Sequence, residues 1–155
     1  MLPSPRLTPL AAACFAAGLA LSAVPGLAAG NDTTTATSQP GYAEAKAAVD
    51  AGRYPEALKI LAQVVKAEPR NADALNLMGY SNRKMNRYSE AARYYEAALK
   101  ADPKHLGALE YQGELFVEMG DFVKAKANRD RLSALCGNCE ELTDLQAALT
   151  EAGHS

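Results

Sequence analysis

The chain has no tryptophan, only two histidines and only three cysteines among its 155 residues. Two histidines leave little from which to build histidine-based metal or acid–base sites. The motifs of such chemistry are missing too: there is no H-E-x-x-H, no G-x-S-x-G and no glycine-rich phosphate loop. Glu110 and Glu114 can be posed as a glycosidase dyad, but no aromatic subsites or deep cleft accompany them. The chain therefore reads as non-catalytic, and no cofactor is implied. A basic excess is also lacking. Sixteen Lys and Arg against 18 Asp and Glu give a formal charge of −2, which argues against a nucleic-acid partner. Beyond residue 41 β-branched residues are sparse, which disfavours strands.

Acid is wholly absent from residues 1–29, where Arg6 is the one charged side chain. Leu7 to Val24 is apolar and rich in Ala and Leu, and Pro25-Gly26 breaks the run. Gly26 and Ala28 are small residues at the −3 and −1 positions of a cleavage site after Ala28; a cut after Ala29 is the alternative. A positive start, an apolar centre and a small-residue exit make residues 1–29 a signal peptide, and the expected location is periplasmic or secreted. The competing reading, an uncleaved anchor, has an apolar run near the lower limit for a span. No stable membrane span is expected after cleavage. Cys14 lies inside the apolar run, and Ala11 stands where a lipobox would want Leu. Loss of the leader leaves 15 basic and 18 acidic side chains, with Cys136 and Cys139 as the remaining cysteines. Residues 30–40, rich in Thr with Ser, Gly and Pro, lack apolar periodicity and read as a flexible linker.

One repeat period organises the remainder. Ala57, Ala91 and Ala125 stand at equal intervals, each one period after the last. So do Tyr54, Tyr88 and Phe122; Ala45, Gly79 and Gly113; Gly52, Asn86 and Gly120; and Pro69, Pro103 and Gly137. Each column has a mechanical use. Small residues let two helices approach closely. Gly or Asn permits the left-handed turn that ends a first helix. The aromatic opens a second helix and fills the gap between pairs, and Pro ends the repeat. The pattern predicts helices over 42–51, 54–67, 71–85, 88–101, 105–119 and 122–135. A further helix over 139–152 carries the stripe Leu142, Leu145, Ala148 and Leu149, with Asn138 and Glu141 as its expected capping box.

The stretch from Ala74-Leu-Asn-Leu-Met-Gly-Tyr80 through Tyr88-Ser-Glu-Ala-Ala-Arg-Tyr-Tyr-Glu-Ala-Ala-Leu-Lys-Ala-Asp-Pro103 resembles a tetratricopeptide repeat. The resemblance covers about residues 38–139. It implies an all-α, right-handed solenoid of three helix-turn-helix repeats, at about 38–71, 72–105 and 106–139, closed by a capping helix at 139–152. The whole repeat domain would occupy 41–152. Three departures stand out: Leu75 where Trp is common, Arg129 where a large apolar residue is usual, and Gly137 in place of the last Pro. They are expected to loosen the third repeat.

Such folds hold peptides or proteins on the concave face lined by the first helices. Here the resemblance assigns that face to Tyr42, Lys46, Asn76, Tyr80, Arg83, Lys84, Glu110, Glu114 and Glu118, with Val49, Asp50, Asp73 and Val117 among them. Glu110, Glu114 and Glu118 repeat every four residues and form a negative ridge, suited to a basic segment or simply to solvent. Arg83 and Lys84, with Asn76 and Tyr80, could grip a carboxylate. The family's Lys/Asn/Arg carboxylate clamp is not assembled, because the third repeat supplies acids where bases are needed. Among Tyr80, Tyr88, Tyr94, Tyr95 and Tyr111, packing positions are expected for all but Tyr80. Cys136-Gly-Asn-Cys139 admits three readings: a disulfide between the third repeat and the cap helix, a redox-active pair, or half a metal site completed by His105. The expected function is a binding scaffold of the cell envelope for a protein or peptide partner, self-association being possible. The alternative is an envelope thiol-redox or metal-binding protein.

Overall fold

The computed structural model describes residues 41–154; the signal peptide expected at 1–29 and the linker expected at 30–40 lie outside them. The described residues form seven helices: α1 Tyr42–Asp50, α2 Tyr54–Ala67, α3 Ala72–Lys84, α4 Tyr88–Ala101, α5 Leu106–Glu118, α6 Phe122–Cys136 and α7 Glu140–Glu151. No strand occurs among the described residues. Each helix packs on the next, while α3 also meets α1 and α5, and α5 meets α7. The result is an all-α repeat solenoid.

Every periodic column has a structural counterpart. Gly52 (φ 71°), Asn86 (φ 58°) and Gly120 (φ 76°) are left-handed and end α1, α3 and α5. The amide after each reaches back five residues: Arg53 N donates to Ala48 O, Arg87 N to Asn82 O and Asp121 N to Phe116 O. These bonds satisfy carbonyls that a helix end leaves open. A cap column runs alongside. Asn71 Oδ1 accepts from Ala74 N at 2.9 Å, and one period on His105 Nδ1 accepts from Ala108 N at 3.1 Å. After a further period, Cys139 is the N-cap of α7 and makes no side-chain cap bond. The Asn138–Glu141 capping box expected from sequence is not formed; the backbone of Cys139 takes the cap position instead.

Ala45, Ala57, Ala91 and Ala125 are fully buried, as close helix approach demands. The closest approaches are at two glycines. A Cβ on Gly79 would stand 2.5 Å from the ring of Tyr95, and one on Gly113 would stand 2.5 Å from Leu145 Cδ2. These two contacts explain the odd residue at 129. Tyr95 of α4 fills the hollow at Gly79 within its own repeat. Its counterpart one period later is Arg129, which is partly exposed and pairs with Asp130. The hollow at Gly113 is filled by Leu145 of α7, which is fully buried. The departure at 129 is thus compensated by the cap helix.

That helix is in register with the repeats, since α3, α5 and α7 begin at 72, 106 and 140. The stripe that a following helix would cover is Leu75, Met78, Gly79 and Asn82 in α3, and Leu109, Gln112, Gly113 and Phe116 in α5. In α7 it is Thr143, Gln146, Ala147 and Thr150, all exposed. The α7 helix is a first helix whose outer stripe is exposed and mostly hydrophilic, which suits it to cap the described repeats.

Candidate functional site

The first helices and the start of α2 enclose a groove of about 390 Å³ lined by Lys46, Val49, Asp50, Tyr54, Leu77, Tyr80 and Tyr111. Its floor is a chain of rings. Tyr54 meets Tyr80 edge-on with centroids 6.3 Å apart, and Tyr80 meets Tyr111 at 5.0 Å. All three are half-buried, each presenting an apolar ring and a polar tip. Sequence reasoning placed Tyr80, Lys46, Val49 and Asp50 here but missed Tyr54, Leu77 and Tyr111. A signal for two of them existed. Leu77 and Tyr111 are one period apart and directly follow Asn76 and Glu110, the column assigned to this face.

Arg83 does not offer itself to a carboxylate. It is 6% exposed, its Nη1 donates to Glu118 Oε1 at 2.7 Å and its Nη2 to Glu114. Its guanidinium also lies 5.5 Å from the centroid of Tyr80 and 5.8 Å from that of Tyr111. Burial works against its charge, but Tyr95, Glu114 and Glu118 outweigh burial and hold its pKa above the ordinary value. The cation is a permanent tie between α3 and α5. The negative ridge read from the sequence is therefore corrected: Glu114 and Glu118 are spent on Arg83 and are not a free acidic face.

Glu110 differs from its two neighbours. It is 7% exposed, and among the described residues no hydrogen bond or ion pair reaches it. Burial first, then the charges of Glu114, Asp144 and Glu141, push its pKa up from 4.5 to about 8, with Arg83 pulling the other way. The same surroundings act on Tyr111, where burial and then Glu110 lead the causes that raise its pKa to about 12.

The remaining assigned residues vary. Lys46 is exposed and bonds Asp50 one turn on, at 2.8 Å. Lys84 is exposed, with its ammonium 5.4 Å from the Tyr80 centroid. Tyr42 is half-buried against the core of α1–α3, and burial together with Asp73 and Asp50 raises its pKa to about 12. Asn76 is buried rather than presented to a ligand, and its Oδ1 has no hydrogen-bond partner among the described residues.

His105 does not join the cysteines. Its Nδ1 caps α5, and its Nε2 lies 2.9 Å from Asp73 Oδ1, so both ring nitrogens are engaged. Among the described residues no group of three or more His, Cys, Asp or Glu side chains is placed to hold a metal ion. The convergence of His105, Cys136 and Cys139 expected from sequence is thus corrected by the cap column, which turns the imidazole back onto its own helix. Cys136 closes α6 and Cys139 precedes α7; their Cα atoms are 5.7 Å apart and the structure joins their sulfurs.

No helix among the described residues is long and apolar enough to cross a membrane. Residues 42–84 and residues 72–105 each match the tetratricopeptide-repeat family. No curated protein matches the chain. Among solved structures, the chain is similar to the type III secretion translocator chaperone SycD of Yersinia enterocolitica. The identity is 18%, the TM-score 0.65, and the likeness covers 73% of this chain and 81% of that one. A second structure of that chaperone, described as an alternative dimer, is 19% identical with a TM-score of 0.63, over 72% of this chain and 85% of that one. Likeness at this identity speaks for the fold alone. The two family matches, the five evenly spaced columns and the seven-helix stack agree on one assignment: over residues 42–105 the chain is built of tetratricopeptide repeats.

Proposed function

We propose that this protein is a non-catalytic scaffold of the cell envelope that holds a segment of another protein in the groove floored by Tyr54, Tyr80 and Tyr111. The observation that carries the reading is the ring chain itself. Three tyrosines from α2, α3 and α5 meet on one face, half-buried and open on one side. Rigid aromatic rings bury much area at little entropic cost, which makes them the usual anchors of protein interfaces. With Arg83 neutralised by two carboxylates, the groove selects apolar and aromatic groups rather than a chain-terminal carboxylate. The chaperone similar in fold supports a protein as the occupant and leaves self-association as a second property to measure.

The envelope location rests on the leader read in residues 1–29. In that compartment Cys136 and Cys139 form a disulfide that ties α6 to the cap helix. Intact-mass measurement under non-reducing conditions tests both: the expected species begins after Ala28 or Ala29 and takes up no alkylating reagent. The groove is tested by photo-crosslinking from position 77 in the native compartment. A discrete crosslinked protein that disappears with Tyr80→Leu is expected; crosslinks unchanged by that substitution would remove the groove from consideration.

A further inference from the structure

The burial of Glu110 points beyond the ring chain. Glu110 is a buried residue of α5, adjacent in sequence to the groove residue Tyr111 though not itself part of the groove lining, and among the described residues nothing donates to it. The groups that act on it come from three helices: Glu114 on α5, Asp144 and Glu141 on α7, and Arg83 on α3. Arg83 is the one cation among them, and it is committed to Glu114 and Glu118. The α7 helix contains four acids, Glu140, Glu141, Asp144 and Glu151, and no Lys or Arg. The described residues thus surround a buried, unpartnered carboxyl with negative charge and supply no free base for it.

We infer that Glu110, flanked by Asp144 and Glu141, is the receptor for one lysine or arginine side chain of the segment held in the groove. The inference rests on the groove reading and adds a charge requirement to it. A metal ion is the wrong occupant, because no set of three ligating side chains is placed for one among the described residues. A flexible cationic side chain needs no such set. It can lay its aliphatic stem over Tyr111 and bring its head to the carboxyl, making the charge-assisted bond that Glu110 lacks. In the free protein the carboxyl keeps its proton; the incoming cation displaces it to solvent. Proton release makes the affinity depend on pH: below the pKa of Glu110, affinity should rise about tenfold per pH unit and then level off.

The test uses the full mature chain and a random dodecapeptide display library, selected in parallel on the native protein, on E110Q and on Y80L, each checked for helix content by circular dichroism. Binding of the recovered peptides is then measured by calorimetry at pH 6 and pH 8. The expected result has three parts. Peptides selected on the native protein carry one Lys or Arg at a fixed distance from an apolar or aromatic residue. They bind at least twofold tighter at pH 8 than at pH 6. Norleucine at the basic position, or E110Q, removes most of that pH dependence. Recovered peptides that need Tyr80 but share no basic position, or that keep the same pH dependence with E110Q, would overturn the cation receptor and leave the groove standing. Peptides bound equally well by Y80L, or no enrichment at all, would overturn both readings.

Discussion

Replacing Glu110 with Gln should stabilise this protein, and the gain should depend on pH in a defined direction. The unfolded chain releases the Glu110 proton near 4.5, whereas the folded chain holds it to about 8. The folded state therefore binds more protons through that interval, so the contribution of this group is whole below pH 4.5, declines as pH rises and is constant above about 8. At 1.36 kcal/mol per pH unit the full interval sets an upper bound of about 5 kcal/mol. Water on Glu141 and Asp144, neither of which is buried, screens their charges and reduces the loss to roughly 2 kcal/mol. Gln keeps the shape and cannot ionise, so the strain that appears at high pH is absent from E110Q. For a domain of this size roughly 4 °C accompanies each kcal/mol. Thermal unfolding followed by far-ultraviolet circular dichroism should give a difference in Tm between E110Q and the native protein about 8 °C larger at pH 8 than at pH 5. Carboxylates remote from position 110 contribute equally in both proteins and cancel from the comparison. A difference independent of pH, or one that shrinks as pH rises, would refute the placement of Glu110 among acids.

Three other outcomes can be checked by the same assay. Gly79→Ala gains about 1 kcal/mol of helix propensity but forces a methyl into the buried ring of Tyr95, so a net loss of about 1–2 kcal/mol is expected. His105→Ala should cost about 1 kcal/mol through the lost cap on α5 and the lost link to Asp73, with metal content of the purified protein unchanged. Cys136→Ser with Cys139→Ser should lower stability by at most about 2 kcal/mol, because the closed loop is short. Reductant should lower the Tm of the native protein and leave that of the double variant alone.

Much of the architecture was legible because a solenoid repeats its own constraints. The left-handed residues at 52, 86 and 120, the buried alanines and the helix starts at Tyr54, Tyr88 and Phe122 are each forced by the same local geometry three times over. The groove was less legible, since its chemistry arises between repeats. Arg83 sits one period before Val117, so Glu114 and Glu118 lie to either side of that place. Reading the charges helix by helix produced a free cation and a free acidic ridge where the fold makes one ion-paired tie. His105 was read by the ends of helices meeting, whereas its column partner Asn71 already indicated a cap. Nothing in the local sequence at Gly113 indicates that Leu145, from another helix, fills the hollow there; only the loss of a large side chain at 129 hints at a substitute.

Leu145 has a consequence for the order in which the protein is made. Synthesis runs from the N-terminus, and the second repeat carries its own Tyr95 to close the hollow at Gly79. The third repeat has no such provision and stays open beside Gly113 until α7 has left the ribosome. Its maturation therefore waits on a helix outside the repeat, so a message truncated before α7 yields two finished repeats and a third with its core exposed. The α7 helix thus serves as an internal check on the third repeat, since a chain lacking it would leave that apolar hollow open to proteases and chaperones.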